Sequence, residues 1–143
     1  MRCLLLLTVV LSVGCAMPVS DPYTMSRIVN DTDTPIEVEL TMDESRVHPS
    51  TPDEAREGLR EFAQGAGVEV VSVDPARLVG RYRIAPSGFM VVHEGMGSEP
   101  YFLFNRMTLT DGRETRTVTG NQDIVKLFHQ QDGSYECRLS ATF

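Results

Sequence analysis

Lysine occurs once in this chain, at Lys126, and tryptophan not at all. The 13 basic side chains are outnumbered by 20 acidic ones, leaving a net charge of −7. A surface of that sign does not suit nucleic acid, whose phosphates require a basic footprint. It is equally unsuited to electrostatic attachment to anionic membranes. No Cys-x-x-Cys pair, phosphate-binding loop or Gly-x-Ser-x-Gly elbow is present. His93-Glu94-Gly95-Met96-Gly97 lacks the second histidine of a zinc-protease helix and carries glycines that would interrupt one. The three histidines, His48, His93 and His129, lie far apart, so neither a metal site nor a cofactor is expected. No internal repeat is visible.

What is present begins with an apolar run, Leu4–Cys15, behind the positive charge of Arg2. It is too short for a bilayer span, which needs ~20 helical residues, and has the size of a signal-peptide core. Its end, Leu11-Ser12-Val13-Gly14-Cys15, resembles the lipobox of bacterial lipoproteins, with Ser12 where that class favours leucine. The resemblance covers only these first residues. It implies cleavage before Cys15, lipid on the Cys15 sulfur, and attachment to the membrane through that lipid. Ala16 follows the cysteine, and by the same resemblance favours the outer membrane, if the organism has one. Gly14-Cys15-Ala16 also suits ordinary signal peptidase, which would release a secreted or soluble periplasmic protein.

Cysteine parity fits the lipid anchor, because Cys3 would leave with the signal and Cys15 would be modified. That leaves Cys137 alone, and a lone cysteine in an exported chain is expected as a buried small hydrophobe. The chain would then divide into residues 1–14 as signal peptide, 15–24 as a proline-bearing tether and 25–143 as one domain. About 129 residues would remain, enough for a single core.

Patterning in this domain is mainly that of strands. Ser26–Asn30 is a first strand, followed by the turn formers Asn30-Asp31-Thr32-Asp33-Thr34-Pro35. Asn30-Asp31-Thr32 matches a glycosylation sequon, but a plain turn is the expectation. Ile36–Met42 alternates strictly, with Ile36, Val38, Leu40 and Met42 on one face. Thr51-Pro52-Asp53-Glu54 is a capping box, with Glu54 placed to reach back to the cap amide. Ala55, Leu59, Phe62 and Ala63 recur at helical spacing after it, up to Gly65.

Val68, Val70 and Val73 mark a strand, and Leu78–Ile84 another with Arg81 and Arg83 outward. Ala85-Pro86-Ser87-Gly88 reads as a turn into a separate strand, Phe89–His93. Tyr101–Leu109 opens on a continuous apolar run, which predicts a central strand covered on both faces or a binding face. Asp111-Gly112 and Asp132-Gly133 signal hairpins. Between them Asn121 is placed to cap a short helix with Ile124, Leu127 and Phe128 inward, Ile124–Phe128 as a buried strand being the other option. The expected fold class is mainly β, an antiparallel β-sandwich or barrel-like sheet with one amphipathic helix.

The candidate binding surface is Tyr101, Phe102 and Phe104 with Arg81 and Arg83. The function expected is a lipid-anchored cell-envelope protein that binds or supports another envelope protein or a glycan. Enzymatic activity is not the leading expectation. The rivals are a small hydrolase assembled from Asp43, Glu44, His48 and His93, and an envelope chaperone or pilot that uses an exposed Tyr101–Phe104.

Overall fold

A computed structural model describes residues 23–140 of the protein. The expected signal peptide, the expected lipidation site Cys15 and most of the expected tether lie outside the described residues. Among those described, no helix is long and apolar enough to cross a membrane.

The strands are β1 (Tyr23–Asn30), β2 (Ile36–Met42), β3 (Gly65–Asp74), β4 (Val79–Met96), β5 (Phe104–Thr110), β6 (Thr115–Thr119), β7 (His129–Gln131) and β8 (Ser134–Leu139). Helix α1 (Pro52–Glu61) precedes β3 and the short α2 (Asn121–Val125) follows β6. The strands form one mixed sheet, β6-β5-β2-β4-β1-β8-β7 with β3 also on β4, curled into a half-barrel. Mainly-β architecture with one amphipathic helix therefore holds. One pair departs from the antiparallel expectation: β8 runs parallel to β1.

β4 organises the sheet. Ile84 pairs with Ile36 of β2 and Val68 of β3, and Met90 pairs with Ile28 of β1 and Gly65 of β3. β3 therefore takes one edge of β4, while β1 and then β2 follow each other along the opposite edge. The turn at residues 31–35 separates them, level with Ala85–Gly88 on β4. Here the sequence expectation is corrected. Ala85–Gly88 does not reverse the chain but interrupts one 18-residue strand, with Ser87 at φ 61. Local turn chemistry is outweighed by partners that continue on both edges of β4 past the break.

Asn30 fastens this level. It is fully buried, and its Nδ2 donates to the Thr34 and Ile84 carbonyls at 2.8 and 3.0 Å. Its Oδ1 accepts from the Thr32 amide and hydroxyl. The side chain is thus enclosed in an Asx-type turn, as turn chemistry predicts.

Helix α1 begins as its capping box dictates, with Thr51 Oγ1 accepting from the Glu54 amide at 3.1 Å. Glu54 reaches back one residue further than expected, taking the Ser50 amide at 2.7 Å. The helix ends at Glu61, and Gly65 instead opens β3, where φ is 143 and a Cβ would collide with the Phe89 carbonyl. Its buried face, Ala55 and Leu59, lies against the core. The Tyr82 hydroxyl donates to the Leu59 carbonyl, satisfying one of the acceptors that a helix end leaves free. Gly80 permits this contact, because a side chain there would occupy the space of the phenol ring.

Ile28, Ile36, Val38, Leu40, Tyr82, Ile84 and Met90 fill the concave side, each contributing about 1.5–3 kcal/mol through burial. Phe102, Phe104 and Phe128 complete it, with ring centroids 4.9 and 4.7 Å apart about Phe102. α2 forms where a short helix was expected, with Ile124 and Phe128 buried. Its cap position is Gly120, however, and the Asn121 side-chain Nδ2 donates to the Phe102 carbonyl at 3.1 Å instead.

Candidate functional site

The residues proposed from sequence separate onto two sides of the molecule. Arg81 and Arg83 lie on the convex face, directly opposite Glu39 and Glu37 of β2. Arg81 Nε donates to Glu39 at 2.6 Å, and Arg83 bridges Glu37 at 3.0 Å and Glu69 of β3 at 2.6 Å. These hydrogen bonds hold the Arg83 pKa above its ordinary value. Both guanidinium groups are thus engaged by carboxylates of neighbouring strands.

The aromatic stretch divides by position. Phe102 and Phe104 have no exposure, whereas Tyr101 and Leu103 are 50% and 38% exposed. Residues 101–103 precede β5, and β5 lies between β2 and β6 rather than at the sheet centre. The apolar run is therefore an inward pair interleaved with an outward pair. Neither Phe102 nor Phe104 offers a binding surface, and neither Arg81 nor Arg83 shares a face with Tyr101.

Tyr101 and Leu103 border a groove along α1. Two adjoining hollows of about 340 and 270 Å³ share Gly58, Glu61, Phe62 and Leu103. Met42, Val47 and Leu78 line the first with His48, and Val92 and His93 line the second with Tyr101. Gly58 leaves the helix side open, since a Cβ there would meet nothing within 4 Å. Arg46 orients the rim: its Nη1 donates to the Phe102 carbonyl at 2.8 Å, and its guanidinium lies 4.7 Å from the Tyr101 ring centroid. That is cation–π distance, and it holds the ring in place.

Of the rival catalytic residues, His48 and His93 line these hollows, whereas Asp43 and Glu44 line neither. Asp43 directs its carboxylate to the Ser45 hydroxyl at 2.6 Å and the Ser45 amide at 3.0 Å. These bonds depress its pKa, so it stays ionised and serves a turn. Glu44 is exposed in the same turn. His48 and His93 fall in the two different hollows, and burial lowers the His93 pKa. No cluster of His, Cys, Asp and Glu suited to a metal occurs among the described residues.

Leu103 was visible in sequence only as part of the apolar run, and Gly58 and Phe62 only as helix residues. Their shared groove depends on how α1 crosses the sheet, which no local pattern encodes. No protein-family model, curated protein or solved structure matches this chain.

Proposed function

We propose that this protein is a lipid-anchored component of a bacterial cell envelope, held through Cys15, whose domain binds another envelope protein or a glycan in the groove beside α1. The observation that carries the binding role is the outward pair Tyr101 and Leu103 over that groove. Phe102, buried between them, and Phe104, buried just after, fix the backbone on which they are displayed. Aromatic side chains pre-oriented at the rim of an apolar hollow suit recognition, since little conformational freedom is lost on binding. The acidic chain makes lipid the expected membrane attachment.

A photo-cross-linking residue at position 101, compared with one at position 81 on the convex face, tests the groove in cells. One discrete adduct from 101 and none from 81 is the expected result. Equal labelling from both positions, or none from either, overturns the groove. Labelled fatty acid should enter the wild-type chain and not Cys15→Ser, while unlipidated protein beginning at Met17 would overturn the anchor.

A further inference from the structure

The half-barrel leaves a seam. β7 pairs with β8 only as far as Glu136, and from Cys137 to Leu139 β8 has β1 on one side and no strand on the other among the described residues. β6, at the far end of the sheet, pairs only with β5. A cleft of about 470 Å³ lies there, lined from β5, β6, β7 and β8, and its size is that of ligand pockets, ~300–1,000 Å³. Bare strand edges present rows of backbone donors and acceptors ready for another strand.

The lining is basic although the chain is acidic. Arg116, Lys126, His129 and Arg138 border the cleft with one acid, Glu136. That carboxylate is engaged by Arg27 and Arg138, Arg138 also pairs with Asp31, and Lys126 pairs with Asp123 at 2.7 Å. Arg116 stands opposite Leu109 in register, so it shares the face of that buried residue. It forms no ion pair among the described residues. Leu109, Cys137 and Leu139 supply an apolar floor.

We infer that the seam is a strand-addition site for an extended acidic peptide, which pairs along the β6 edge with its carboxylates toward Arg116. Side chains of an extended strand alternate in direction, so every second residue of such a peptide would face Arg116 across the cleft and the residues between would lie on the outer side. Main-chain bonds would supply affinity, and the basic side chains would select the partner's charge. A structural explanation of Arg116 also exists, because an inward charge on an edge strand discourages aggregation. The two differ in what they predict for peptide binding.

The test uses the full chain and a fluorescent acetylated hexapeptide of alternating Glu and Val, followed by anisotropy. Saturable binding that weakens between ~50 mM and ~500 mM salt is expected, because surface charges are screened over that range. Arg116→Ser should weaken it by about fivefold to tenfold, as a lost charge contact does. Arg116→Lys should restore most of the affinity, and Arg81→Ser should leave it unchanged. A Lys–Val hexapeptide, and a Glu–Val one N-methylated at alternate residues, should not bind.

Equal binding of the Lys–Val or N-methylated peptide would overturn strand addition. Full displacement by inorganic phosphate would show a small-anion site and overturn it too. If Arg116→Ser aggregates while the folded wild type binds no peptide, Arg116 guards the edge only and the inference fails.

Discussion

The two faces of β2 and β4 are made by the same residues in alternation, yet they serve different ends. Val38, Leu40, Tyr82 and Ile84 point into a space without water, where the Tyr82 hydroxyl has found the Leu59 carbonyl. Glu37, Glu39, Arg81 and Arg83 point into solvent, where they pair across strands. A one-residue slip would exchange the two sets, so both specify the same register. Only the inner face adds much stability, since exposed ion pairs contribute little. Burial therefore decides whether the sheet forms, and charge helps to decide which alignment it takes.

The largest expected effect breaks the inner face. Tyr82→Ala should lower unfolding stability by ~3–5 kcal/mol in a urea titration, through lost burial and a cavity. Tyr82→Phe should cost ~1–2 kcal/mol by leaving a buried acceptor unpaired. A Tyr82→Ala variant as stable as wild type would show that the ring is not part of the core.

Next is Asn30→Ala, which strips partners from the Thr34 and Ile84 carbonyls. The Thr34 carbonyl keeps the Thr32 hydroxyl, and a loss of ~2–3 kcal/mol is expected from the Ile84 carbonyl and the Thr32 amide left unpaired. Faster hydrogen exchange should accompany it, concentrated at residues 84–90. Uniform exchange across the sheet would contradict a local fastening role.

On the outer face, Arg83→Ala should shift the urea midpoint less than Tyr82→Phe does. The shift should vanish near ~1 M salt, where the screening length is ~3 Å. Persistence of the full shift in salt would mean that packing of the arginine stem matters more than its charge.

The smallest expected effect concerns pH. Burial lowers the His93 pKa below its ordinary 6.5, so the unfolded chain takes up a proton at higher pH than the folded one. Stability from neutral His93 is complete above the unfolded value and is lost as pH falls through it. His93→Gln should therefore lessen the drop in urea midpoint between pH ~7.5 and ~5.5, and an unchanged slope would assign that drop to other groups.

Much of this comparison was legible in the residues themselves. Ile36–Met42 is a strand with the bounds its alternation predicts, and Thr51 caps α1 as its motif requires. Asp132 and Gly133 make their turn with φ of 48 and 83, the left-handed pair that tight hairpins demand. These are local signals with local causes.

What escaped is non-local. Pro86 and Gly88 resemble a reversal, and only strands from elsewhere in the chain hold β4 extended through them. Val70 marks β3 in the sequence, yet it and its neighbour Val71 are 38% and 44% exposed. They lie on an edge strand whose register shifts between Val70 and Ser72. In the candidate groove, Tyr101 was legible as an aromatic and its exposure was not. Its parity relative to Phe102 becomes meaningful only once the core side is known.

The parallel pairing of β1 with β8 has a consequence in time. The first strand of the described domain finds one of its two neighbours in the last described strand, with Ile28 beside Cys137. A ribosome must release every other described strand before that edge is covered, and contacts so distant in sequence form slowly. Until then β1 remains an exposed template, vulnerable to the wrong strand. Chaperone demand during synthesis should therefore persist until β8 has emerged, and a chain truncated before Ser134 should stay soluble less well than one truncated after Leu139.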